Sequence, residues 1–251
     1  MRMARFALVL VLLVTAVRAE RADVLLAGAT DAELKPLLER LTGAHVEKQA
    51  AWTFWLGTLA GRKVVLTRTE GDPLNAVAAT TLAIRRYGPR LIVTFGSARA
   101  HDPSLRAGDV VVSEKFVAFD GMESPFRPEG GGSDALAWTT LPHLLMTPGE
   151  KEVPAVTFPA DAGALAVARS LRATSGRVVV GVLGSANQVN READRIARLR
   201  AQWGTSCEDG ESAHIAGCAQ LLGVPVVGWR VIDGAEGDAA ALVLPFLEAW
   251  K

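Results

Sequence analysis

Short apolar runs that alternate with amphipathic helical stretches are what most constrain this chain. Residues 24–27, 91–95, 110–112, 178–183 and 224–231 are apolar, too short for helices and rich in β-branched side chains. That is the pattern of strands buried on both faces. The first run ends in Gly28 and the second is expected to stop at Gly96. Between the runs, apolar residues recur at helical spacing: Leu34, Leu37, Leu38 and Leu41 in 31–41, Leu74, Val77, Ala78 and Leu82 in 74–87, and Ile215, Ala216, Ala219 and Leu222 in 212–222. Segments 162–172, 191–202 and 239–250 complete the expected helices. Segments 52–59 and 63–67 read as two strands around Ala60-Gly61-Arg62. This alternation predicts an α/β fold: a single domain with a central, largely parallel or mixed twisted sheet flanked by helices. Residues 121–134 hold four glycines and two prolines without periodicity, and read as a long loop.

The N-terminus has a different character. Arg2 and Arg5 precede an apolar stretch, 6–17, in which only Thr15 is polar, and Val17-Arg18-Ala19 follows. A basic start, a short apolar core and a small-residue exit are the order of a secretory signal peptide. The run is shorter than the roughly 20 residues that span a bilayer. The expectation is a signal peptide over 1–19, a single domain over 20–251, a periplasmic or secreted location, and no membrane attachment after cleavage.

Composition narrows the function classes. Lys plus Arg and Asp plus Glu number 27 each among 251 residues, so the net charge is zero. A general nucleic-acid binder, which needs clustered positive charge, is not expected. Two cysteines exclude a disulfide scaffold and a four-cysteine zinc site. Cys207 and Cys218 are expected as buried thiols rather than a bridge.

Ligand sites in such sheets gather at the C-terminal ends of parallel strands. That rule points to residues 28–33, 96–98, 184–190, 208–211 and 230–238. These loops offer Glu33; Glu208, Asp209 and Glu211; and Asp233 and Asp238. Gly96-Ser97-Ala98 adds a small turn whose N–H groups can approach a sugar or anion. His45, His101, His143 and His214 are scattered, with no His-Glu-x-x-His spacing, so no metal is expected. Neither a phosphate loop nor a dinucleotide fingerprint nor a Gly-x-Ser-x-Gly elbow is present, and no cofactor is expected. Carboxylate chemistry on a neutral, polyhydroxylated substrate remains.

Val24-Leu25-Leu26-Ala27-Gly28-Ala29-Thr30-Asp31-Ala32-Glu33 resembles the opening strand and turn of the 5′-methylthioadenosine/S-adenosylhomocysteine nucleosidases, in the nucleoside phosphorylase superfamily. Val93-Thr94-Phe95-Gly96-Ser97-Ala98 and Gly108-Asp109-Val110-Val111-Val112-Ser113 continue the likeness. Asp209-Gly210-Glu211-Ser212-Ala213 stands in the place of a Glu-Met-Glu-Ala segment. Val224 to Asp233 stands in the place of the strand ending Arg-x-x-Ser-Asp. The resemblance implies a purine nucleoside or thio-nucleoside N-ribosyl hydrolase that passes through a sugar of oxocarbenium character. It implies that Glu33 polarises the attacking water, Arg230 helps position it, and Glu211 accepts hydrogen bonds from ribose hydroxyls. An Asp at the end of the last strand would protonate the purine. It implies a small-molecule nucleoside as ligand and a homodimer as assembly.

Several residues have a second reading. Thr30 to Glu33 is also a capping box. Glu211 also reads as an acidic residue favouring a helix start, and Ser97 as a residue that only turns the chain. Arg230 lies in an apolar strand and requires a carboxylate partner, such as Glu33 or Asp233. The chain also departs from the family. Counting from Arg230, the proton-donor position falls on Gly234, with Asp233 one residue early. Gly210 replaces a methionine under the sugar, and Arg99-Ala100 replaces a diglycine. Segment 184–190 lacks a customary stacking Phe, leaving Asn187 or Asn190 to meet a base edge. The alternatives are therefore a non-catalytic nucleoside-binding or storage protein of the same fold, or a nucleoside phosphorylase. The first turn carries no arginine and Glu33 would repel phosphate, so only Arg68 and Arg99 speak for phosphorolysis.

Overall fold

A computed structural model describes residues 21–149, 151–234 and 238–251. The expected signal peptide, 1–19, lies outside the described residues. In chain order come β1 (Val24–Gly28), α1 (Asp31–Leu38), β2 (Thr42–Gln49), β3 (Trp52–Leu59), β4 (Arg62–Arg68), α2 (Pro73–Tyr87), β5 (Leu91–Ala100) and β6 (Val110–Ala118). Short strands follow: β7 (Met122–Glu123), β8 (Thr139–Thr140), β9 (His143–Thr147), β10 (Lys151–Ala155) and β11 (Thr157–Pro159). The chain then forms α3 (Ala162–Ala168), β12 (Val178–Ser185), α4 (Ala193–Trp203), β13 (Thr205–Asp209), α5 (Ser212–Leu222), β14 (Val226–Ile232) and α6 (Val243–Ala249).

Ten strands make one mixed sheet. Strands β4, β1, β5 and β14 run parallel, as do β6, β12 and β13. Antiparallel pairings of β14 with β6 and of β13 with β5 join the two sets. Strands β5, β14, β6, β12 and β13 therefore close on themselves. Alternation along β1 covers both faces: Leu25 and Ala27 pack in one core with Ala76 and Ile215 of α2 and α5. Val24 and Leu26 pack in another with Leu34 and Phe246 of α1 and α6.

The expected α/β single-domain architecture is the observed one, with local differences. Strand β5 does not stop at Gly96 but runs on to Ala100, where Arg99 and Ala100 pair with Glu208 and Cys207 of β13. Gly96 marks a close approach instead, because a Cβ there would lie 2.8 Å from Glu33 Oε1. Helix α1 ends at Leu38, and the unanticipated β2 follows it. Six of the eight β2 residues are exposed, so no apolar alternation marks this edge strand. Segment 121–134 is largely irregular, as expected, apart from β7. Cys207 and Cys218 are free and buried, and burial pushes both thiols up. Among the described residues, no helix is long and apolar enough to cross a membrane.

Candidate functional site

An open cleft of about 770 Å³ lies at the C-terminal ends of the parallel strands. All five anticipated loops reach it, through Glu33, Ser97, Asn187, Glu211 and Asp233 among others. Gly71, after β4, is an unanticipated contributor.

Glu33 takes part in the cap and also lines the cleft. Thr30 caps α1, its Oγ1 accepting from the Glu33 N–H at 3.2 Å. The Glu33 carboxylate reaches back past the cap, and its Oε2 accepts from Ala29 N–H at 2.6 Å. Oε1 accepts from Ser97 N–H at 3.3 Å, which ties the ends of β1 and β5 together. The side chain is 5% exposed and lines the cleft. Capping thus orients a carboxylate that remains available to a ligand.

Arg230 has a different partner from those expected. Its Nε stands 2.8 Å from Asp209 Oδ2, and its Nη2 stands 3.9 Å from Glu211 Oε1. Nη1 donates to Trp229 O and Nη2 to Thr94 Oγ1, both at 3.0 Å. Neither Glu33 nor Asp233 is the direct counter-ion. The reason is register: β14 places Arg230 beside Gly96 of β5, and β13 delivers Asp209 from across the closed set of strands. Burial disfavours the charged guanidinium, but Asp209, Glu211 and Glu33 more than offset this and push its pKa up. Asp209 is held below the usual carboxylate range against its own burial, chiefly by Arg230 and by bonds from Ser212 and Ser185. Its Oδ1 accepts from Glu211 and Ser212 N–H, each at 2.8 Å, at the start of α5. Asp209 was visible as a carboxylate in the right loop; its pairing depends on strand order, which no local motif reveals.

Glu211 is 2% exposed, and neither carboxylate oxygen has a hydrogen-bond partner within the protein. Burial pushes its pKa up to about 7, with Arg230 and the nearby Thr69 hydroxyl opposing and the charges of Asp209 and Glu33 adding to the rise. This buried carboxyl at the cleft has hydrogen-bond acceptor capacity that the protein leaves unfilled.

Asp233 follows the last residue of β14 in a left-handed conformation, φ +43°. Its N–H bonds Ala98 O at 3.0 Å, and its exposed side chain lines the cleft. The strand has ended, so the one-residue offset does not turn Asp233 to the wrong face. Gly234 cannot take a side chain in this turn, since a Cβ would lie 2.4 Å from Val231 Cγ1. At Gly210 a Cβ would lie 2.3 Å from the carbonyl oxygen of Gly71, so the turn beside it excludes a methionine.

The remaining candidates separate. Ser97 and Asn187 are exposed on the cleft, and Gly96 and Ala98 line it. Asn190 does not line it: its N–H and Nδ2 bond Glu208 at 2.8 and 2.6 Å. Buried Glu208, also 3.1 Å from His101 Nε2, captures Asn190 as the nearer partner. Arg68 is held by Asp31 at 2.7 Å and Glu70 at 2.6 Å, away from the cleft lining. Arg99 does line the cleft and is exposed.

A mixed sheet with this cleft defines a class, and the chain belongs to it: the phosphorylase superfamily, whose family profile matches residues 23–250. Within that class the chain is similar to the 5′-methylthioadenosine/S-adenosylhomocysteine nucleosidase of Bacillus thuringiensis (strain Al Hakam), 28% identical over 213 residues and 84% of each chain. Two solved nucleosidases of the same name share the fold. One, from S. pneumoniae with a transition-state inhibitor, is 20% identical, with TM-score 0.74 over 91% of this chain and 99% of that one. Another, from Colwellia psychrerythraea 34H with adenine, is 23% identical, with TM-score 0.72 over 94% and 98%.

Proposed function

We propose that the protein is an N-ribosyl hydrolase that cleaves the N-glycosidic bond of a purine nucleoside or thio-nucleoside. The observation that carries this reading is Glu211, fully buried at the cleft with both oxygens unpartnered and Arg230 3.9 Å away. Two adjacent sugar hydroxyls would supply the missing donors. Glu33, fixed by the N–H groups of Ala29 and Ser97, polarises a water against the anomeric carbon. Arg230 acts as a positioning residue: it holds Asp209 and stands beside Glu211, fixing the carboxylates of the buried end. Asp233 supplies the proton to the departing base from the cleft rim, and Asn187 meets the base edge. Asp233 is not the counter-ion of Arg230, which favours this reading over a non-catalytic binder. Neutralisation of Arg68 by Asp31 and Glu70 favours water over phosphate as nucleophile.

Incubation of the purified protein with a nucleoside panel, with and without phosphate, tests this by chromatography. Free base in both conditions supports hydrolysis. Base and sugar 1-phosphate only with phosphate supports a phosphorylase, and binding without release supports the storage reading. Export to the periplasm or medium belongs to the same proposal and rests on Arg2, Arg5 and the apolar run 6–17. Native protein beginning near residue 20 supports it, and a start at Met1 overturns it. A homodimer is the proposed assembly, supported by exposed Leu74 and Val77 on α2 beside Leu221 and Leu222 on α5. A monomeric mass by light scattering contradicts it.

A further inference from the structure

Away from the cleft, three residues far apart in sequence meet: Asp120 just beyond β6, His143 at the start of β9 and His214 in the first turn of α5. One ligand atom from each lies within 4.8 Å of the others. His214 Nε2 stands 2.9 Å from Asp120 Oδ2, and His143 Nε2 stands 3.7 Å from Asp120 Oδ1. The two imidazoles meet edge to face, with centroids 6.0 Å apart. Both therefore aim their Nε2 atoms at one carboxylate from different directions.

We propose that Asp120, His143 and His214 form a binding site for a divalent transition-metal ion, Zn²⁺ being the type case. Two imidazoles and a carboxylate are the donor set such ions prefer, and harder ions such as Mg²⁺ and Ca²⁺ prefer all-oxygen sites. Ligand atoms around a tetrahedral ion with bonds of about 2.0–2.1 Å sit roughly 3.3–3.4 Å apart. The three candidate ligand atoms, one from each residue, lie within 4.8 Å of one another, with each imidazole 2.9 or 3.7 Å from a different oxygen of Asp120, so a modest contraction brings them to that spacing. Asp120 Oδ1 is a buried acceptor with no hydrogen bond of ordinary length, facing His143 Nε2 at 3.7 Å, and so has acceptor capacity left at the middle of the cluster. Three protein ligands would leave a fourth position for water. His143 and His214 also line an adjoining, largely apolar cavity of about 310 Å³, with Leu145 and Phe158.

The site has a structural consequence for the cleft. His214 N–H bonds the carbonyl oxygen of Glu211 at 3.0 Å. An ion held at His214 would pin the first turn of α5, and with it the backbone of Glu211, to the end of β6 and the β9–β10 hairpin. Sequence spacing gave no sign of this cluster, because its members come from three separate elements.

Calorimetric titration of the untagged full chain with Zn²⁺, after dialysis against a chelator, tests the site. One saturable ion per chain is expected, and Co²⁺ substituted for it should give visible absorption bands of tetrahedral or five-coordinate geometry. Asp120→Asn and His143→Gln should each weaken Zn²⁺ binding by more than about 100-fold, beyond the roughly 10–100-fold typical of losing an outer-shell partner. His45→Ala, an exposed histidine beside Glu47, should leave it unchanged. His143 is partly exposed, so its variant preserves the test if Asp120→Asn fails to fold. No saturable binding, or equal affinity in the His143→Gln variant, would overturn the proposal and leave an ion-paired clasp of three side chains.

Discussion

At one end of the cleft, Glu33, Asp209, Glu211 and Arg230 are buried, and three of them are tied to backbone or to each other at 2.6–3.3 Å. At the other end, Ser97, Arg99, Asn187, Val189 and Asp233 are exposed, and the last three sit in loops or turns. The first end rests on strand termini and helix starts, whose positions the sheet dictates. The second rests on segments that pack little and accept substitution at small cost. Under the proposed function the contrast would separate two tasks, with charge held at the buried end for reaction at the sugar and substrate selection left to the exposed end. It accounts for where the chain departs from its resemblance: Gly234 and segment 184–190 lie at or beside the open rim. Gly210 is the exception, imposed by the carbonyl of Gly71.

Breaking the buried end should have the largest effect. Asp209→Asn leaves Arg230 buried without its 2.8 Å counter-ion and should cost about 3–5 kcal/mol of stability, read by thermal or urea unfolding. A loss below about 1 kcal/mol would mean that Glu211 alone suffices for Arg230. Glu33→Gln keeps the shape of the site but replaces one of the two oxygens that accept from Ala29 and Ser97 N–H with a donor. It should lower turnover by about 10²–10⁴-fold while nucleoside affinity changes only a few-fold. Loss of folding with normal turnover per folded molecule would reduce Glu33 to a cap.

The open end can be tested with the same tools. Asp233→Asn should slow base release by about 10²-fold, the lower limit for general acid catalysis, because water at an open rim can partly replace the donor. Its melting temperature should stay within the range of surface substitutions, about 0.5 kcal/mol. Unchanged turnover would leave the exposed end a specificity surface and no more.

Glu211 gives a smaller, pH-dependent signal. Its carboxyl ionises near 7, and sugar hydroxyls donate best to the ionised form. Nucleoside affinity should therefore rise by up to about tenfold from pH 6 to 8, and the slope should vanish in Glu211→Gln. Stability should move the opposite way. The folded value lies above the ordinary 4.5, so folding favours the protonated form. Stability relative to Glu211→Gln should then fall as pH rises from about 4.5 to 7.

The two ends also differ in how far they could be read from sequence. The rule that ligands gather beyond the C-terminal ends of parallel strands found all five loops, because apolar runs and helical stripes are local patterns. The residues Glu33 and Glu211 were found with them. The partnership of Arg230 with Asp209 was not, since β13 reaches Arg230 only through closure of β5, β14, β6, β12 and β13. Asn190 was misplaced for a related reason: Glu208, one strand away, holds it off the cleft. Edge strand β2 escaped notice because its side chains are mostly exposed and carry no alternation. The meeting of Asp120, His143 and His214 is likewise a product of tertiary structure alone.

Hydrolysis at the buried end has one direct signature, the origin of the oxygen that joins the sugar. The measurement is base release by the full chain in ¹⁸O-labelled water, without phosphate, with mass analysis of the sugar. Attack by a water held at Glu33 predicts free purine together with a sugar carrying the ¹⁸O label, at a rate that added phosphate leaves unchanged. Release that requires phosphate and yields an unlabelled sugar 1-phosphate, or no release from any nucleoside that binds, would contradict it.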